Sequence, residues 1–272
     1  MYTLRNTTAT ETSVREVKKL RKLNILLVED SPLNSKLVSI LFLQNGLQLQ
    51  TAVNGAEAVK KIKATDFDIV LMDMEMPVMN GYQATNLIRH ELKNDVPIIA
   101  LSAHTRDDEK EKCLQLGMND YIAKPFDEML LFRSILNLTG SKTSAGFISS
   151  SKRTVVNHRK VCNLTYLTKI TRGNKKSLNS ILDILLKETP QEISILDEAI
   201  EKTNYALISD ISHKIRTSFS MLGISVLALI LEEMERLGSV ATGIERIAKL
   251  NRRVHTVFGK AMEEMKTETK KA

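Results

Sequence analysis

Short apolar runs alternate with helical stretches over residues 23–138. Five runs are typical of buried strands, at residues 24–28, 49–53, 69–72, 98–101 and 121–122. Each is followed by a stretch with helical periodicity, at residues 32–45, 57–63, 82–92, 107–116 and 127–138. Unbroken apolar strands that alternate with helices predict a parallel sheet covered by helices on both faces. We therefore expect a five-stranded, doubly wound α/β domain at residues 23–138.

The second half of the chain has a different pattern. Residues 139–160 are rich in Ser, Thr and Lys and carry no helical stripe, which predicts a flexible linker. Beyond it, apolar residues recur at helical spacing in residues 181–186, 193–200, 205–222, 226–237 and 244–265. Thr189 and Pro190 predict a helix start, because Thr caps helices and Pro favours their first position. Residues 161–272 are therefore expected to form an all-α bundle with a C-terminal helical extension.

The formal net charge of +7 is unevenly distributed along the chain. A basic N-terminal lead at residues 1–22 carries +4 and residues 141–160 carry +5. Residues 23–140 carry −5, and residues 161–272 carry +3. Most of the excess thus lies in two flanking segments rather than on a folded basic face. We therefore expect no direct contact with nucleic acid.

Cysteine usage and hydropathy exclude other classes of protein. Cys113 and Cys162 offer neither a disulfide framework nor the spacing of metal ligands. The longest near-apolar run covers residues 221–231, shorter than the roughly 18 residues that a membrane-spanning helix needs. The N-terminus lacks the apolar core of a secretory signal. We expect a cytoplasmic protein with no membrane segment in this chain.

Acidic and polar side chains stand where the predicted strands end. Glu29 and Asp30 end the first strand, Asp73 the third and Ser102 the fourth, and Lys124 follows the fifth. Because the carboxyl ends of parallel strands meet at one edge of a sheet, we expect these groups to converge. Three clustered carboxylates need a cation, and oxygen ligands favour Mg²⁺. Carboxylate, hydroxyl and ammonium groups around such a metal predict a site for phosphoryl transfer.

Three segments of this half resemble the receiver domain of two-component response regulators. They are LLVEDSPLN at residues 26–34, MDMEMPVMNG at residues 72–81 and YIAKPF at residues 121–126. The similarity is greatest to the receivers of hybrid sensor kinases. This resemblance implies a flavodoxin-like fold that is phosphorylated on one aspartate.

The resemblance also implies a role for each residue of the site. Asp73 would be the phosphoacceptor. The groups expected to bind Mg²⁺ are those of Glu29, Asp30, Asp73 and the backbone carbonyl of Glu75. The groups expected to hold the phosphoryl oxygens are those of Ser102 and Lys124. Tyr121 would be the aromatic switch that reorients on phosphorylation.

One of the five histidines, His213, has neighbours suited to chemistry. Arg216 and Thr217 follow it by three and four positions, so they lie on the same face of the predicted helix. A neutral imidazole there could attack phosphorus, with the Arg216 guanidinium close to the incoming negative charge. On spacing alone, an ordinary exposed histidine remains the favoured alternative. The other four histidines are interpreted as ordinary surface residues.

The segment SHKIRTSFSMLG at residues 212–223 is similar to the central helix of histidine phosphotransfer domains. The similarity includes LEEME at residues 231–235. It implies that His213 is phosphorylated and that Arg216 steadies the phosphoryl group. Arg216 stands where that family usually has lysine, and Thr217 stands where it usually has glycine.

A receiver followed by a phosphotransfer bundle predicts a phosphorelay protein. It would accept a phosphoryl group from an upstream histidine kinase on Asp73, exchange it with His213, and pass it to a downstream response regulator. One alternative is a response regulator whose Asp73 switches a helical output that binds protein or DNA, with His213 incidental. Another is an adaptor without phosphorylation. No Gly-rich kinase module is expected, so the chain would be a signalling protein rather than an enzyme, alone or as the C-terminal part of a hybrid kinase.

Overall fold

The computed structural model describes residues 20–102, 107–124, 127–140, 165–221 and 224–271. In these ranges the chain divides into two compact units, one built around a sheet and the other built of helices. Several predicted features lie outside the described residues. They are nearly all of the basic lead, the linker from residue 141 onward, Cys162, His104, His158 and the helix end at Gly223.

The first unit contains the predicted five-stranded parallel sheet. Its strands are β1 (Ile25–Val28), β2 (Gln50–Ala52), β3 (Ile69–Asp73), β4 (Ile98–Ser102) and β5 (Asp120–Ala123). All pairs are parallel, in the order β2-β1-β3-β4-β5. The helices are α1 (Pro32–Gln44), α2 (Gly55–Ala64), α3 (Gly81–Asn86), α4 (Asp107–Gln115) and α5 (Glu128–Leu138). Each predicted strand is present, with ends shifted by a single residue.

Local chemistry fixes the ends of these elements. The Ser31 hydroxyl accepts a hydrogen bond from the backbone N–H of Asn34 at 3.3 Å, which caps α1. After α1 ends, Gly46 adopts φ +71°, a conformation that glycine reaches without strain. All residues of β1, β3 and β4 are buried, as expected for strands with helices on both faces. The carboxyl ends of β1, β3 and β4 therefore lie side by side at the same end of the sheet.

The helix after β3 is less regular than its periodicity predicts. It begins as α3 and continues as a π-helical turn, Leu87–Glu91. Arg89 in this turn donates hydrogen bonds to the carbonyl oxygens of Gly117, Asn94 and Val96, at 2.7–2.9 Å. These bonds anchor the end of the helix to the connections that precede β4 and β5.

The second unit is helical throughout its described residues. Its helices are α6 (Thr165–Thr171), α7 (Lys175–Glu201), α8 (Tyr205–Met221), α9 (Ser225–Ser239) and α10 (Ile244–Lys271). At Gly238 the backbones of α8 and α9 approach so closely that an added Cβ would lie 2.8 Å from the amide nitrogen of Ser209. In the described part of the chain, no helix combines the length and apolarity needed to cross a membrane.

The prediction of a helix start at Thr189-Pro190 is wrong, because α7 runs through Pro190 without interruption. Proline within a helix lacks one backbone donor and costs roughly 3 kcal/mol relative to alanine. The apolar residues on both sides of Pro190 form one continuous buried stripe, made of Ile181, Leu182, Leu185, Ile193 and Leu196. Packing of this stripe outweighs the local preference to break the helix.

Candidate functional site

The acidic side chains that end β1 and β3 lie together. Val28 pairs with Met72 in the register of these strands, so the residues that follow are neighbours at the sheet edge. Glu29, Asp30 and Asp73 each offer a carboxylate oxygen, and these oxygens lie within 4.8 Å of one another. Glu29 and Asp73 are buried, so water screens their mutual repulsion poorly.

Lys124 supplies the positive charge inside this cluster. Its Nζ donates to Glu29 Oε2 at 2.6 Å and to Asp73 Oδ2 at 2.7 Å. Burial alone would lower the pKa of Lys124, but the charges of Asp73 and Glu29 hold that pKa above its usual range. Burial raises the pKa of Asp73 to about 7, an effect that Lys124 opposes and Glu29 reinforces. Lys124 thus binds two of the three clustered carboxylates and is the one cation among the described contacts of the cluster.

The loop after β3 wraps tightly around the Asp73 carboxylate. The backbone N–H of Glu75 donates to Asp73 Oδ1 at 3.3 Å. Val78 has φ +68°, and the N–H of Met79 donates to the carbonyl oxygen of Pro77 at 2.8 Å, a strained three-residue turn. At Gly81 an added Cβ would lie 2.4 Å from the carbonyl oxygen of Asp73, so only glycine fits there.

Ser102 and Tyr121 occupy adjacent strands on the side that faces α4. Ser102 ends β4, and Tyr121 lies on β5 opposite Ala100. Because residues two apart on a strand share a face, Ser102 and Tyr121 project to the same side of the sheet. Burial raises the pKa of the Tyr121 phenol to about 12, so the phenol keeps its proton and acts as a donor. Both hydroxyls donate to one oxygen of Glu109, Ser102 at 3.2 Å and Tyr121 at 3.3 Å.

In the helical unit, His213 is held by a carboxylate from the neighbouring helix. His213 Nδ1 lies 2.9 Å from Oε1 of Glu235, which comes from α9. A carboxylate only accepts hydrogen bonds, so we assign the ring proton to Nδ1. This tautomer leaves a lone pair on Nε2, the nitrogen at the far side of the ring. In this tautomer Nδ1 is the donor atom of the ring and Nε2 is its acceptor atom.

Arg216 and Thr217 flank the same imidazole. Arg216 Nε donates to Glu235 Oε2 at 2.7 Å, so one carboxylate holds both the ring and the guanidinium. The Thr217 hydroxyl donates to the carbonyl oxygen of His213 at 3.0 Å and lies 3.4 Å from Nε2. Arg216 and Thr217 therefore lie on the same face of α8 as His213, as their spacing in the sequence predicts.

Sequence reasoning did not assign a role to Glu109 or Glu235. Both are acids on amphipathic helices, where most acids face solvent. A usable signal is their spacing from buried residues: Glu109 precedes buried Cys113 by four positions, and Glu235 follows buried Leu231 by four. Such spacing directs a side chain toward the inner face of its helix.

The comparison with protein families identifies the first unit. Residues 25–136 match the response regulator receiver domain family. These residues are a receiver domain of two-component signalling, and the five-stranded parallel sheet in the order β2-β1-β3-β4-β5 is the fold that the resemblance implied.

Relatives of the chain include several sensor kinases. The signal transduction histidine-protein kinases BarA of Escherichia coli (strain K12) and Shigella flexneri are each 29% identical over 230 residues, which is 82% of this chain and 25% of the relative. The sensor protein GacS of Pseudomonas syringae pv. syringae is 40% identical over 120 residues, 43% of this chain and 13% of GacS. The chain thus spans a quarter of the length of the BarA kinases that it matches.

Solved structures similar to the chain include isolated receiver domains. The receiver domain of sensor histidine kinase PA1611 from Pseudomonas aeruginosa, with a magnesium ion in its active site cleft, is 39% identical and has a TM-score of 0.40. The match covers 44% of this chain and 98% of that one. A co-crystal structure of Saccharomyces cerevisiae Ypd1 with the Ssk1 receiver domain matches at 30% identity and a TM-score of 0.42, over 44% of this chain and 90% of that one.

Proposed function

We propose that this chain relays phosphoryl groups between Asp73 of its receiver and His213 of its helical unit. An upstream histidine kinase supplies the group to Asp73, and the receiver of a downstream response regulator takes it from His213. The observation that carries the proposal is the hydrogen bond from His213 Nδ1 to Glu235, because it leaves Nε2 as a nucleophile. The BarA alignment supports it, since 230 matched residues extend well beyond the receiver into the helices.

The carboxylate cluster fits a divalent cation. Glu29, Asp30 and Asp73 bring three carboxylates within 4.8 Å, and Lys124 offsets only one of their charges. All of these ligands are oxygens, the set that Mg²⁺ prefers. We expect Asp30 and Asp73 to hold the ion with the backbone carbonyl of Glu75, and Glu29 to assist. When bound, the ion neutralises charge on the phosphoryl oxygens.

The residues of the chain supply the remaining chemistry of the receiver step. Asp73 attacks phosphorus through a carboxylate oxygen, a P–O bond forms, and the P–N bond to the donor histidine breaks with its electrons returning to that imidazole. Lys124 and Ser102 then donate hydrogen bonds to the phosphoryl oxygens, and these donors stabilise the charge in the transition state.

In the second step, Nε2 of His213 attacks the phosphorus of the acyl phosphate. A P–N bond forms, and the P–O bond breaks with its electron pair returning to the Asp73 carboxylate. The proton on Nδ1 stays between the ring and Glu235, so the positive charge that develops on the ring meets a carboxylate. Arg216 is close enough to stabilise the phosphoryl group that arrives.

The test follows label from acetyl phosphate in the presence of Mg²⁺. Phosphohistidine survives alkali whereas aspartyl phosphate does not, so alkali treatment separates the two sites. We expect both kinds of label on the unaltered chain, neither on Asp73→Asn, and only alkali-labile label on His213→Gln. A chelator should remove all label, because the clustered acids then repel the donor.

A mixture of the two variants extends the test. Label then moves only from Asp73 of one molecule to His213 of another, so its rate falls on dilution. Alkali-stable label that persists in His213→Gln would exclude His213 as the acceptor. Label confined to Asp73 in the unaltered chain would instead favour the alternative of a response regulator with a helical output.

A further inference from the structure

The Glu109 carboxylate contacts the hydroxyls of both Ser102 and Tyr121. Its Oε2 accepts a hydrogen bond from Ser102 Oγ at 3.2 Å and another from the Tyr121 phenol at 3.3 Å. Glu109 lies in the first turns of α4 and is half-buried, so its carboxylate is shielded from water on one side. These two contacts involve both residues that the proposed phosphorylation is expected to move.

The Ser102 hydroxyl has a single proton to donate. While that proton is directed at Glu109, it is not available to a phosphoryl oxygen on Asp73. Hydrogen bonds to a carboxylate are also stronger than those to a neutral acceptor. Phosphorylation must therefore compete with Glu109 for the Ser102 hydroxyl, and the outcome depends on how firmly Glu109 holds it.

We propose that Glu109 is a positioning residue that holds the Ser102 hydroxyl in the unphosphorylated receiver and thereby limits the phosphorylated fraction. This inference rests on the proposed role of Asp73 as phosphoacceptor. When Ser102 turns to the phosphoryl group, Tyr121 remains a donor to the same Glu109 oxygen. The carboxylate is thus never left without a donor, and it links the state of Ser102 to the position of the Tyr121 ring.

The experiment measures the fraction of chain that is phosphorylated at steady state with excess acetyl phosphate and Mg²⁺. It uses the full chain with His213→Gln, so that all label remains on the receiver. We expect Glu109→Ala to raise the ratio of phosphorylated to unphosphorylated chain about threefold to tenfold, the factor that corresponds to loss of one hydrogen bond. Glu109→Gln keeps a neutral acceptor oxygen and should give a smaller rise. Glu111→Ala removes an exposed acid from the same helix and should give none.

A second background separates positioning from a general effect of charge. In Ser102→Ala chains the competition no longer exists, so Glu109→Ala and Glu109→Gln should leave the phosphorylated fraction unchanged. An equal rise with and without the Ser102 hydroxyl would overturn the proposal, as would no rise in either Glu109 variant. If Glu109→Ala fails to fold, Glu109→Gln decides the test. A rise in its phosphorylated fraction that requires the Ser102 hydroxyl supports the proposal, and no such rise overturns it. A parent chain that takes no label would refute the phosphoacceptor role instead.

Discussion

The two proposed phosphoacceptors, Asp73 and His213, are each held by a partner of opposite charge type, a cation for Asp73 and a carboxylate for His213. Asp73 receives a hydrogen bond from the Lys124 ammonium at 2.7 Å, directly on a carboxylate oxygen. His213 is held at 2.9 Å by the Glu235 carboxylate, on Nδ1 rather than on Nε2, the nitrogen proposed to react. In the proposed transfer, Glu235 would therefore keep its contact with His213, whereas Lys124 would move from the Asp73 carboxylate to the phosphoryl group.

The two sites also differ in how the chain assembles them. Lys124 is separated from Asp73 by 51 positions and from Glu29 by 95, and only the sheet topology brings them together. Around His213, two of the three contacts come from the next turn of the same helix, and Glu235 alone is distant in sequence. The strand site therefore depends on the whole fold, whereas the helix site depends on one pair of helices.

The largest effect is expected from Lys124→Ala. This change leaves buried carboxylates without their cation, which should cost about 3–5 kcal/mol of unfolding free energy. Phosphorylation of Asp73 should fall by about a hundredfold or more, as for other lost charge-stabilising donors. Urea unfolding and label from acetyl phosphate measure the two effects. Lys61→Ala, which breaks the surface ion pair with Glu57, is the matched control and should change neither.

The next largest effect is expected where α8 and α9 approach each other. In Gly238→Ala the new Cβ would lie 2.8–2.9 Å from backbone atoms of Ser209 and Tyr205, so the helices must separate. We expect a loss of about 1–3 kcal/mol in unfolding free energy. Gly259→Ala is the control, because nothing lies within 4 Å of its added Cβ and alanine favours the helix. Equal stability changes in the two variants would contradict the close approach.

Substitution of Glu235 is expected to lower the unfolding free energy less than the changes above, and to slow phosphorylation of His213. Glu235→Ala removes the acceptor of His213 Nδ1 and of Arg216, at a cost of about 1–2 kcal/mol. The imidazole then loses its fixed tautomer, which ¹⁵N NMR of the ring detects, and phosphohistidine formation should slow about tenfold. Glu235→Gln keeps an acceptor oxygen and should recover part of the fixed tautomer and part of the rate of phosphohistidine formation. Glu233→Ala, which breaks an exposed ion pair with Arg246, should leave the tautomer unchanged.

The smallest loss of unfolding free energy is expected from substitution of Thr217. Thr217→Gly should cost about 0.5–1 kcal/mol of unfolding free energy, because glycine loses more backbone entropy in a helix. His213 should still accept label in this variant, since removal of the side chain improves access to Nε2. Thr217→Ala removes the same hydroxyl without the entropy cost, so the pair separates stability from transfer. If both variants fold but take no label on His213, the hydroxyl 3.4 Å from Nε2 is required.

Much of the receiver could be predicted from the sequence because its signals are local. β1, β3 and β4 are apolar runs, and β3 and β4 each end in a polar residue of the candidate site, Asp73 and Ser102. The partial switch of the third helix to π geometry was not predicted. Arg89 in this turn bonds the carbonyl oxygens of Val96 and, 28 positions away in sequence, of Gly117, and periodicity does not report such contacts.

The contacts of the two candidate sites that the sequence did not predict are made by acids, Glu109 and Glu235, across elements. In the segment LEEME, Glu232 is exposed and Glu233 pairs with Arg246, whereas Glu235 turns toward His213. Composition does not separate these three acids, whereas the packing of α9 against α8 does. Pro190 illustrates the same limit, because a local breaking signal was outweighed by the buried stripe along α7.

The strand order gives the receiver a gradient of local stability. β3, which ends in Asp73, has a hydrogen-bonded strand on each side, whereas β5 at the edge is paired only with β4. Opening β5 breaks one ladder and opening β3 breaks two, so the free energy of local opening rises toward the centre of the sheet. We therefore expect the amide hydrogens of β5, the strand that carries Tyr121, to exchange with solvent faster than those of β3, the strand that carries Asp73.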